Sequence, residues 1–294
     1  MNFDFSEELN QLRDEARRFL RERCPPAVPR RILEGPEPFD RALWNGMAEM
    51  GWPGAAIPEA YGGVGLGPLA VCVLAEELGR AVAPAPFSSS VYLATEAILL
   101  FGSEAQKQQF LPKLATGELI GTFGMAERPG AADPRRLTTR VTSGNLTGTK
   151  LAVPDGDIAD FAVVAAANGT LHLVDLHGGG VQRETITTID PTRSHARIVF
   201  DNAPANALPS CTGPEGVRTL LDRAAVMMAF EQVGGAQAAL EMATSYAKER
   251  YAFGRPIGSF QAIKHKLAEV YIAVELARSN AYYGAWALHS NSAE

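Results

Sequence analysis

The sequence predicts an α+β fold in which a helical domain, a β-domain and a helical bundle follow one another. Apolar residues recur at helical spacing through residues 1–118, short apolar or alternating runs broken by turn residues fill residues 119–212, and the helical period returns over residues 213–294. A chain of 294 residues with 46% hydrophobic content is long enough to bury a core in each part. These three ranges are the predicted domains.

Charge and targeting signals exclude two classes of partner. The 27 basic and 33 acidic residues give a net charge of −6, and no basic block of the kind that follows a nucleic-acid backbone is present. The N-terminus is acidic and lacks the basic-then-apolar order of a signal peptide, and no apolar run approaches the roughly 18 to 20 residues of a membrane span. We therefore expect neither nucleic acid nor a membrane as a partner.

Cysteine and histidine spacing argues against disulfides and metal sites. Cys24, Cys72 and Cys211 are far apart and form no Cys-x-x-Cys pair, so a reducing cytoplasm fits best. The histidines are scattered, without the spacing of a metal site or the Gly-x-Ser-x-Gly elbow of a hydrolase. We predict no metal and no hydrolase chemistry.

Helix start and stop signals divide residues 1–118 into several helices. Ser6 is predicted to cap a first helix that runs to about Arg23, where two prolines stop it. Ser103 is predicted to cap the last helix of this domain, which ends near Gly117. The helical patterns between them are residues 39–50, 69–81 and 91–101. The glycine-rich run at residues 58–65 lacks the Gly-Lys-Ser/Thr of a nucleotide loop and does not follow a strand, so we interpret it as a structural loop.

The middle of the chain predicts strands joined by tight turns. Ser143-Gly144-Asn145 and Ala167-Asn168-Gly169 are typical of hairpin turns. The predicted strands are residues 140–142, 146–153, 161–166, 171–176, 181–187 and 196–200.

Two long helical patterns meet at residues 250–265. Gly254, Pro256 and Gly258 interrupt the helical period there, so the chain is predicted to reverse direction. From Phe260 onward the apolar residues form a nearly straight stripe, which predicts a helix of roughly 30 residues and about 45 Å. A stripe of that length must pack against other helices, and we expect the resulting bundle to form a subunit interface as well.

The bend carries chemistry as well as geometry. Arg250 precedes it and Gln261 follows it, and both offer planar hydrogen-bonding groups that suit a phosphate or a ring edge. A purely structural alternative makes the same residues a helix cap and a hinge. The order of residues, Arg250-x-x-Phe253-Gly-x-x-Ile-x-x-x-Gln261, resembles the signature of the acyl-CoA dehydrogenase flavoprotein family. The predicted order of domains is also that of the family.

The resemblance implies a flavin adenine dinucleotide (FAD) protein that acts on an acyl-CoA thioester. In the family a glutamate removes the α-proton while a hydride leaves the β-carbon for the flavin, which gives a 2-enoyl-CoA, and electron-transfer flavoprotein is the expected acceptor. The family's bend reaches the flavin of a neighbouring subunit. The resemblance therefore implies that Arg250, Phe253 and Gln261 contact the pyrophosphate and adenosine of FAD.

The flavin-ring segments depart from the family pattern. Where members carry Thr-Glu-Pro, this chain reads Phe123-Gly-Met125-Ala126-Glu-Arg, so the threonine hydroxyl is lost at Ala126. Where members carry Lys-x-Trp-Ile-Thr-Asn-Gly, it reads Lys-Leu-Ala152-Val-Pro154-Asp-Gly, so the tryptophan and the threonine are replaced. By resemblance these five residues are the remaining candidates for contact with the flavin ring.

The substrate side departs too. The serine expected near the phosphate end of the thioester falls at Ala132, and the arginine expected early in the bundle falls at Ala225, two residues from Arg223. By resemblance Ala132 and Arg223 are the substrate-binding candidates. The position from which a minority of members take the base is Ala224, so we predict no catalytic residue in this chain. The family's final helices do not occur before Glu294, which implies either a truncated chain or a shortened architecture.

These losses favour one subunit of a heteromeric acyl-CoA dehydrogenase, paired with a homologous subunit that keeps the base, in a dimer of dimers. The resemblance extends to enzymes for bulky substrates such as steroid side-chain thioesters. Three alternatives stay open: a homotetrameric dehydrogenase whose glutamate lies in a C-terminal segment absent from this sequence, a flavin monooxygenase or oxidase on the same fold, and a scaffold without flavin. The sequence does not determine the acyl chain or ring structure.

Overall fold

The computed structural model describes residues 5–290. The chain forms two compact units, one built from Met1–Pro26, Pro68–Ala83 and Val226–Glu294 and the other from Ala27–Gly67 and Pro84–Ala225. The first four residues of the predicted helical domain and the last four of the predicted bundle lie outside the described residues. The division into domains at residues 118 and 212 remains a prediction.

Helices dominate both ends of the described chain. They are α1 (Glu7–Arg23), α2 (Ala27–Glu34), α3 (Arg41–Glu49), α4 (Pro68–Ala81), α5 (Glu96–Phe101), α6 (Glu104–Ala115), α7 (Pro214–Glu249) and α8 (Gln261–Ser290). A π-helical segment, Ser88–Thr95, runs directly into α5.

The predicted caps are confirmed. The Ser6 hydroxyl accepts a hydrogen bond from Leu9 N at 3.3 Å and begins α1, which ends at Arg23 as expected. Ser103 and Gln106 form a reciprocal capping box at the start of α6. A side-chain oxygen or amide satisfies backbone groups that the helix itself leaves unpaired, which is why these residues mark helix starts so clearly.

Two helical features were not predicted. Helix α2 follows the prolines that stop α1, and its own Pro29 lies in its first turn, where a missing backbone N–H removes no hydrogen bond. The helix expected at residues 91–101 begins earlier, as the buried π-helical segment Ser88–Thr95. Such segments are frequent at functional sites.

The first unit contains α1, α4, α8 and most of α7. Helices α4 and α7 approach each other closely, because a Cβ on Gly79 would lie 1.8 Å from the Glu231 carbonyl oxygen and a Cβ on Gly234 would lie 1.9 Å from that of Glu76. The two carboxylates of α4 are buried and paired. Arg17 donates two hydrogen bonds to Glu77, at 2.9 and 2.7 Å, and Arg278 pairs with Glu76.

The second unit holds two four-stranded sheets. One has the order β1-β4-β5-β8 and the other β2-β3-β7-β6, and the pairing of β1 with β4 is parallel while the other pairs are antiparallel. The strands are β1 (Gly121–Gly124), β2 (Arg140–Thr142), β3 (Asn145–Pro154), β4 (Phe161–Ala166), β5 (Thr170–Asp175), β6 (Val181–Thr185), β7 (His195–Pro204) and β8 (Asn206–Ala207).

Most of the predicted strands and both hairpin turns are present, and the α+β fold class is confirmed. Strand β1 was missed because Gly-Thr-Phe-Gly has no alternating pattern and is buried throughout. Strand β7 extends beyond its predicted end at residue 200, and β6 ends before its predicted end at residue 187. A core of buried aliphatic and aromatic side chains lies between the first sheet and the helices of this unit, and it includes Ile98, Leu111, Phe123, Phe161, Val163 and Leu173.

Candidate functional site

The predicted bend between α7 and α8 is a short hairpin. Strands β9 (Tyr251–Ala252) and β10 (Arg255–Pro256) pair antiparallel, and the two residues between them, Phe253 and Gly254, have φ of +52° and +77°. Two successive positive φ values suit the right-handed twist of a two-residue hairpin. Gly258 follows where a Cβ would lie 2.8 Å from the Ala247 carbonyl oxygen, so the chain returns to α7 at close range.

The hairpin presents its side chains to solvent. Phe253 is 95% exposed, and both Arg250 and Gln261 are exposed at the ends of the flanking helices. The Arg255 guanidinium lies 4.2 Å from the centre of the Phe260 ring, a cation–π contact that stiffens the hairpin. The backbone N–H of Arg250 donates to Tyr246 O at 2.8 Å and so completes the last turn of α7. Guanidinium, amide and aromatic groups are therefore exposed on a hydrogen-bonded turn.

In the second unit, the predicted flavin-ring segments lie side by side. Lys150 of β3 is fully buried, and its ammonium donates to Glu127 Oε1 at 2.9 Å and to Met125 O at 3.1 Å. The Leu151 N–H donates to Ala126 O at 2.8 Å. These bonds fix residues 125–127 against β3. We name residues 123–126 and 152–154 the β-domain wall.

The Glu127 carboxylate is held as an anion. Burial alone would raise its pKa, but hydrogen bonds from the Thr139 hydroxyl, from Lys150 and from Thr138 outweigh burial and hold the pKa of Glu127 well below its usual range. Burial lowers the pKa of Lys150, and the Glu127 hydrogen bond opposes this effect. Glu127 therefore has a structural role and is not poised to remove a proton.

The side chains of the β-domain wall are apolar. Phe123 is buried in the core, Met125 and Ala126 are half-buried, and Ala152 is exposed with φ of +48° inside a β-bulge between Lys150 and Val153. The Pro154 carbonyl accepts a hydrogen bond from the Thr122 hydroxyl. At residues 126, 152 and 154 the wall thus offers methyl groups and a proline ring.

An isoalloxazine ring requires hydrogen-bond donors at its polar edge, and the side chains of the wall supply none. The polar side chains next to the wall, Thr122 and Lys150, bond to its own carbonyl groups and do not face outward. Proline adds no backbone donor. The side chains of the wall do not fit the polar edge of a flavin, and we derive no hydride-transfer step there.

The predicted substrate residue Arg223 has a partner that the sequence did not reveal. Its Nε donates to Glu96 Oε1, and the two side chains are 20% and 5% exposed. Glu96 begins α5 directly after the π-helical segment, 127 positions away in sequence. The pair neutralises the guanidinium, so a thioester phosphate would have to compete with a buried carboxylate. Substrate binding by Arg223 stays a prediction, and its ion pair with Glu96 is the competing structural role.

The remaining positions show no catalytic group. Positions 224 and 225 are both alanine, so neither carries a base or an arginine. Ala224 is buried and Ala225 is exposed. Ala132 is half-buried just before Asp133, whose carboxylate caps the short turn at Pro134–Arg136. Within residues 5–290 no cluster of metal-ligating side chains occurs. All three cysteines are buried, and in the described part of the chain no helix is long and apolar enough to span a membrane.

Comparison with known families and proteins gives consistent matches. The family described as acyl-CoA dehydrogenase, N-terminal domain, matches residues 6–118, and the acyl-CoA dehydrogenase C-terminal domain matches residues 212–294. Acyl-CoA dehydrogenase IpdE2 of Mycobacterium tuberculosis is 34% identical over 275 residues, which cover 93% of this chain and 74% of that protein. Glutaryl-CoA dehydrogenase of Desulfococcus multivorans is 30% identical over 308 residues, covering 97% and 79%.

Solved structures agree with this assignment. A variant of the Tcur3481-Tcur3483 steroid ACAD matches with a TM-score of 0.88 and 34% identity, covering 97% of this chain and 78% of that chain. The ChsE4-ChsE5 complex from Mycobacterium tuberculosis matches with a TM-score of 0.90 and 28% identity, covering 99% and 80%.

Proposed function

The chain belongs to the acyl-CoA dehydrogenase family of FAD-dependent oxidoreductases, and from that premise we propose that it is the subunit without a catalytic base in a heteromeric acyl-CoA dehydrogenase. The complex would convert a saturated acyl-CoA to a 2-enoyl-CoA. One observation carries the proposal: the chain keeps an outward-facing bend with Arg250, Phe253 and Gln261, although its own β-domain wall has no side chain suited to the polar edge of a flavin.

The bend residues suit the phosphate and adenosine parts of a cofactor held by another chain. Bound FAD would supply the acceptor for the hydride that leaves the β-carbon of the thioester. The Arg250 guanidinium is shaped to pair with a pyrophosphate, and the Gln261 amide can both donate and accept at a ring edge. Phe253 adds an apolar surface on a turn whose backbone is fixed by β-pairing. Together they would orient the cofactor without taking part in proton transfer.

The partner we propose is a homologous acyl-CoA dehydrogenase subunit, in a dimer of dimers. Helix α8 carries large apolar side chains whose exposure to water is energetically unfavourable. Among them are Tyr271, Ile272 and Leu276, which are 54%, 58% and 62% exposed. Contact with a second subunit would bury them. Two of the similar solved structures are named as paired proteins, which supports a heteromeric assembly.

For the substrate we propose a bulky acyl-CoA such as a steroid side-chain thioester, with electron-transfer flavoprotein as the acceptor. The support is the similarity to the steroid ACAD structure. We further propose a cytoplasmic location, which the wide sequence spacing of the three cysteines supports. We also propose that the chain has three domains, at residues 1–118, 119–212 and 213–294.

The experiment is expression of the chain alone and together with a homologous acyl-CoA dehydrogenase subunit from the same source. We expect flavin absorbance and thioester-dependent dye reduction only in the co-purified complex. Loss of a general base alone lowers a rate by about 10² to 10⁴, so the isolated chain should be inactive. An isolated chain that is yellow and dehydrogenates acyl-CoA would contradict the proposal and favour the homotetrameric alternative. Oxygen consumption by the reduced flavin would favour the monooxygenase or oxidase alternative.

Variants of the bend separate its cofactor role from a hinge role. Arg250→Ala removes a charge-assisted hydrogen bond worth roughly 1.5 to 3 kcal/mol, so FAD should be held about tenfold to a hundredfold more weakly by the complex. Gln261→Ala should also lower the occupancy. Arg218→Ala, which removes an exposed arginine of α7 outside the bend, is the matched control and should leave occupancy unchanged. Unchanged FAD occupancy and unchanged turnover in both bend variants would show that the bend is only a structural hinge.

A further inference from the structure

A buried carboxyl group lies at the end of β3, where the site described above does not use it. The group belongs to Asp155, which follows Pro154 and is 3% exposed. The backbone of Asp155 is left-handed, with φ of +53°. Its N–H donates to Ser194 O at 2.8 Å, and its carbonyl accepts from Ala159 N at 2.9 Å. The backbone is therefore fully engaged in a turn, and the carboxyl points into the protein.

The carboxyl meets the start of the π-helical segment. Ser89 Oγ lies 2.5 Å from Asp155 Oδ2 and 3.1 Å from the Pro86 carbonyl oxygen. The neighbouring Ser90 hydroxyl accepts from Gly121 N at 3.2 Å, at the first residue of β1. Consecutive serines thus connect the π-helical segment to two strands that form the β-domain wall.

An ionised Asp155 would be short of hydrogen-bond donors. A carboxylate has about four acceptor positions, but the described contacts give Oδ1 only the Ser194 hydroxyl, at 3.4 Å. That hydroxyl has a single proton and lies 2.6 Å from Asp157 Oδ1, which is the better acceptor. A buried carboxylate with one good donor, close to a second carboxylate, carries a large desolvation penalty.

A neutral Asp155 gives each acid and hydroxyl proton of the cluster an acceptor and removes the buried charge. Its Oδ2–H would donate to Ser89 Oγ, and the Ser89 hydroxyl would donate in turn to Pro86 O, so each single proton has one acceptor. The ionisable groups that face the carboxyl are Asp157, Arg193 and His195. Burial raises the pKa of Asp155, and this effect exceeds the opposing effects of the Ser89 hydrogen bond and the Arg193 charge.

We propose that Asp155 keeps its proton in the folded protein and donates it to Ser89, and that this bond positions the β-domain wall against the start of the π-helical segment. Asp155 is then a positioning residue that acts through Pro154 and Ser89. The inference concerns a proton inside one unit of the chain. It holds or fails whether or not the chain has a catalytic partner.

The first test is the pH dependence of unfolding of the full chain, wild type against Asp155→Asn. The unfolded aspartate loses its proton near pH 4, whereas the folded one retains it to higher pH. The wild type therefore has a stabilisation that is complete below about pH 4 and is lost as the pH rises to the folded pKa. In that window its unfolding constant, relative to that of Asp155→Asn, should rise by up to about tenfold per pH unit.

Asp157→Asn is the matched control, because it removes the neighbouring carboxylate that shares Ser194. Its profile should keep a slope of the wild-type sign, over a window that ends at a lower pH because the neighbouring negative charge that raises the pKa of Asp155 is gone. If Asp157→Asn removes the slope and Asp155→Asn does not, the proton belongs to Asp157 and the proposal is wrong. Parallel profiles for wild type and Asp155→Asn would also overturn it.

A second measurement does not depend on folding equilibria. In protein labelled with ¹³C at the aspartate carboxyl, the signal that disappears in Asp155→Asn should show the protonated form at neutral pH. The ionised form at neutral pH would overturn the proposal. Asp155→Asn should also retain the near-ultraviolet spectrum of the wild type, since the amide N–H₂ can donate to Ser89 in place of the acid proton.

Discussion

The ammonium of Lys150, which is fully buried, and the carboxylate of Glu127, whose side chain is 13% exposed, form an ion pair 2.9 Å apart that joins β3 to the segment that follows β1. The pair is unequal in its other contacts. Glu127 accepts four more hydrogen bonds from the backbone and hydroxyl groups of Thr138 and Thr139, whereas Lys150 has one more acceptor, Met125 O.

This inequality predicts which partner is harder to remove. Glu127→Gln leaves the buried Lys150 charge unpaired, so we expect a loss of about 3 to 5 kcal/mol in the free energy of unfolding. Lys150→Met leaves a carboxylate that still has four donors, and its loss should be smaller by at least about 1 kcal/mol. Urea unfolding of the two variants measures the difference in their free energies of unfolding, provided that their m-values are equal. Equal losses would contradict a role for the threonine donors.

The same carboxylate predicts acid sensitivity. Because the pKa of Glu127 is held below its usual range, its stabilisation is complete above the unfolded value of about 4.3 and is lost as the pH falls through the folded pKa. Comparing the unfolding free energy of wild type and Glu127→Gln between pH 7 and pH 3 tests this. The gap between the two proteins should narrow as the pH falls. A constant gap would show that the carboxylate does not titrate differently in the folded state.

Arg223 and Glu96 provide a test of stability against substrate binding. Arg223→Leu leaves a 5% exposed carboxylate without its partner, and we expect a loss of about 3 to 5 kcal/mol. The double variant with Glu96→Leu should recover most of that loss, because two apolar side chains replace the pair. Thermal or urea unfolding of the four proteins of this cycle gives the coupling energy. A coupling near zero would favour a free guanidinium that serves a ligand.

The crossing of α4 and α7 predicts a steric limit. Alanine at Gly79 or at Gly234 would place a Cβ within 2 Å of a backbone oxygen of the other helix, so we expect both variants to fold poorly or to aggregate. Gly235→Ala is the control in the same helix, since its nearest contact would be 3.3 Å from Gly79 O. Its better helix propensity, worth up to about 1 kcal/mol, should offset that contact. Soluble yield and circular dichroism compare the three proteins.

Local signals in the sequence predicted local structure well. The caps at Ser6 and Ser103, the hairpin turns and the 30-residue helix that begins at Gln261 all depend on residues that are close together in the chain. The bend was predicted for the same reason, since a few glycine and proline residues determine its geometry. Strand β1 and helix α2 were missed because one has no alternation and the other follows a proline pair.

Long-range partners were not predictable in this way. The pairing of Arg223 with Glu96 joins residues 127 positions apart, and the Asp155–Ser89 contact joins residues 66 apart. No periodicity in a single sequence encodes such a contact, because it depends on how the elements pack. The family pattern located the β-domain wall, but only the structure reveals that its polar neighbours face inward. The roles of Ala126, Ala132, Ala152 and Pro154 stay predictions.

The β-bulge after Lys150 has a consequence for how the wall can vary. Regular alternation would put residues 150 and 152 on one face, yet Lys150 and Val153 are the buried pair and Ala152 is exposed. The extra residue of the bulge shifts the alternation of inward and outward side chains by one position. Ala152 therefore lies on the outer surface and does not pack in the core. The choice of residue there is then limited by the left-handed backbone, which favours glycine or asparagine, and not by packing. A substitution that the left-handed backbone tolerates at Ala152 should therefore change the outer surface of the wall without disturbing the core beneath it.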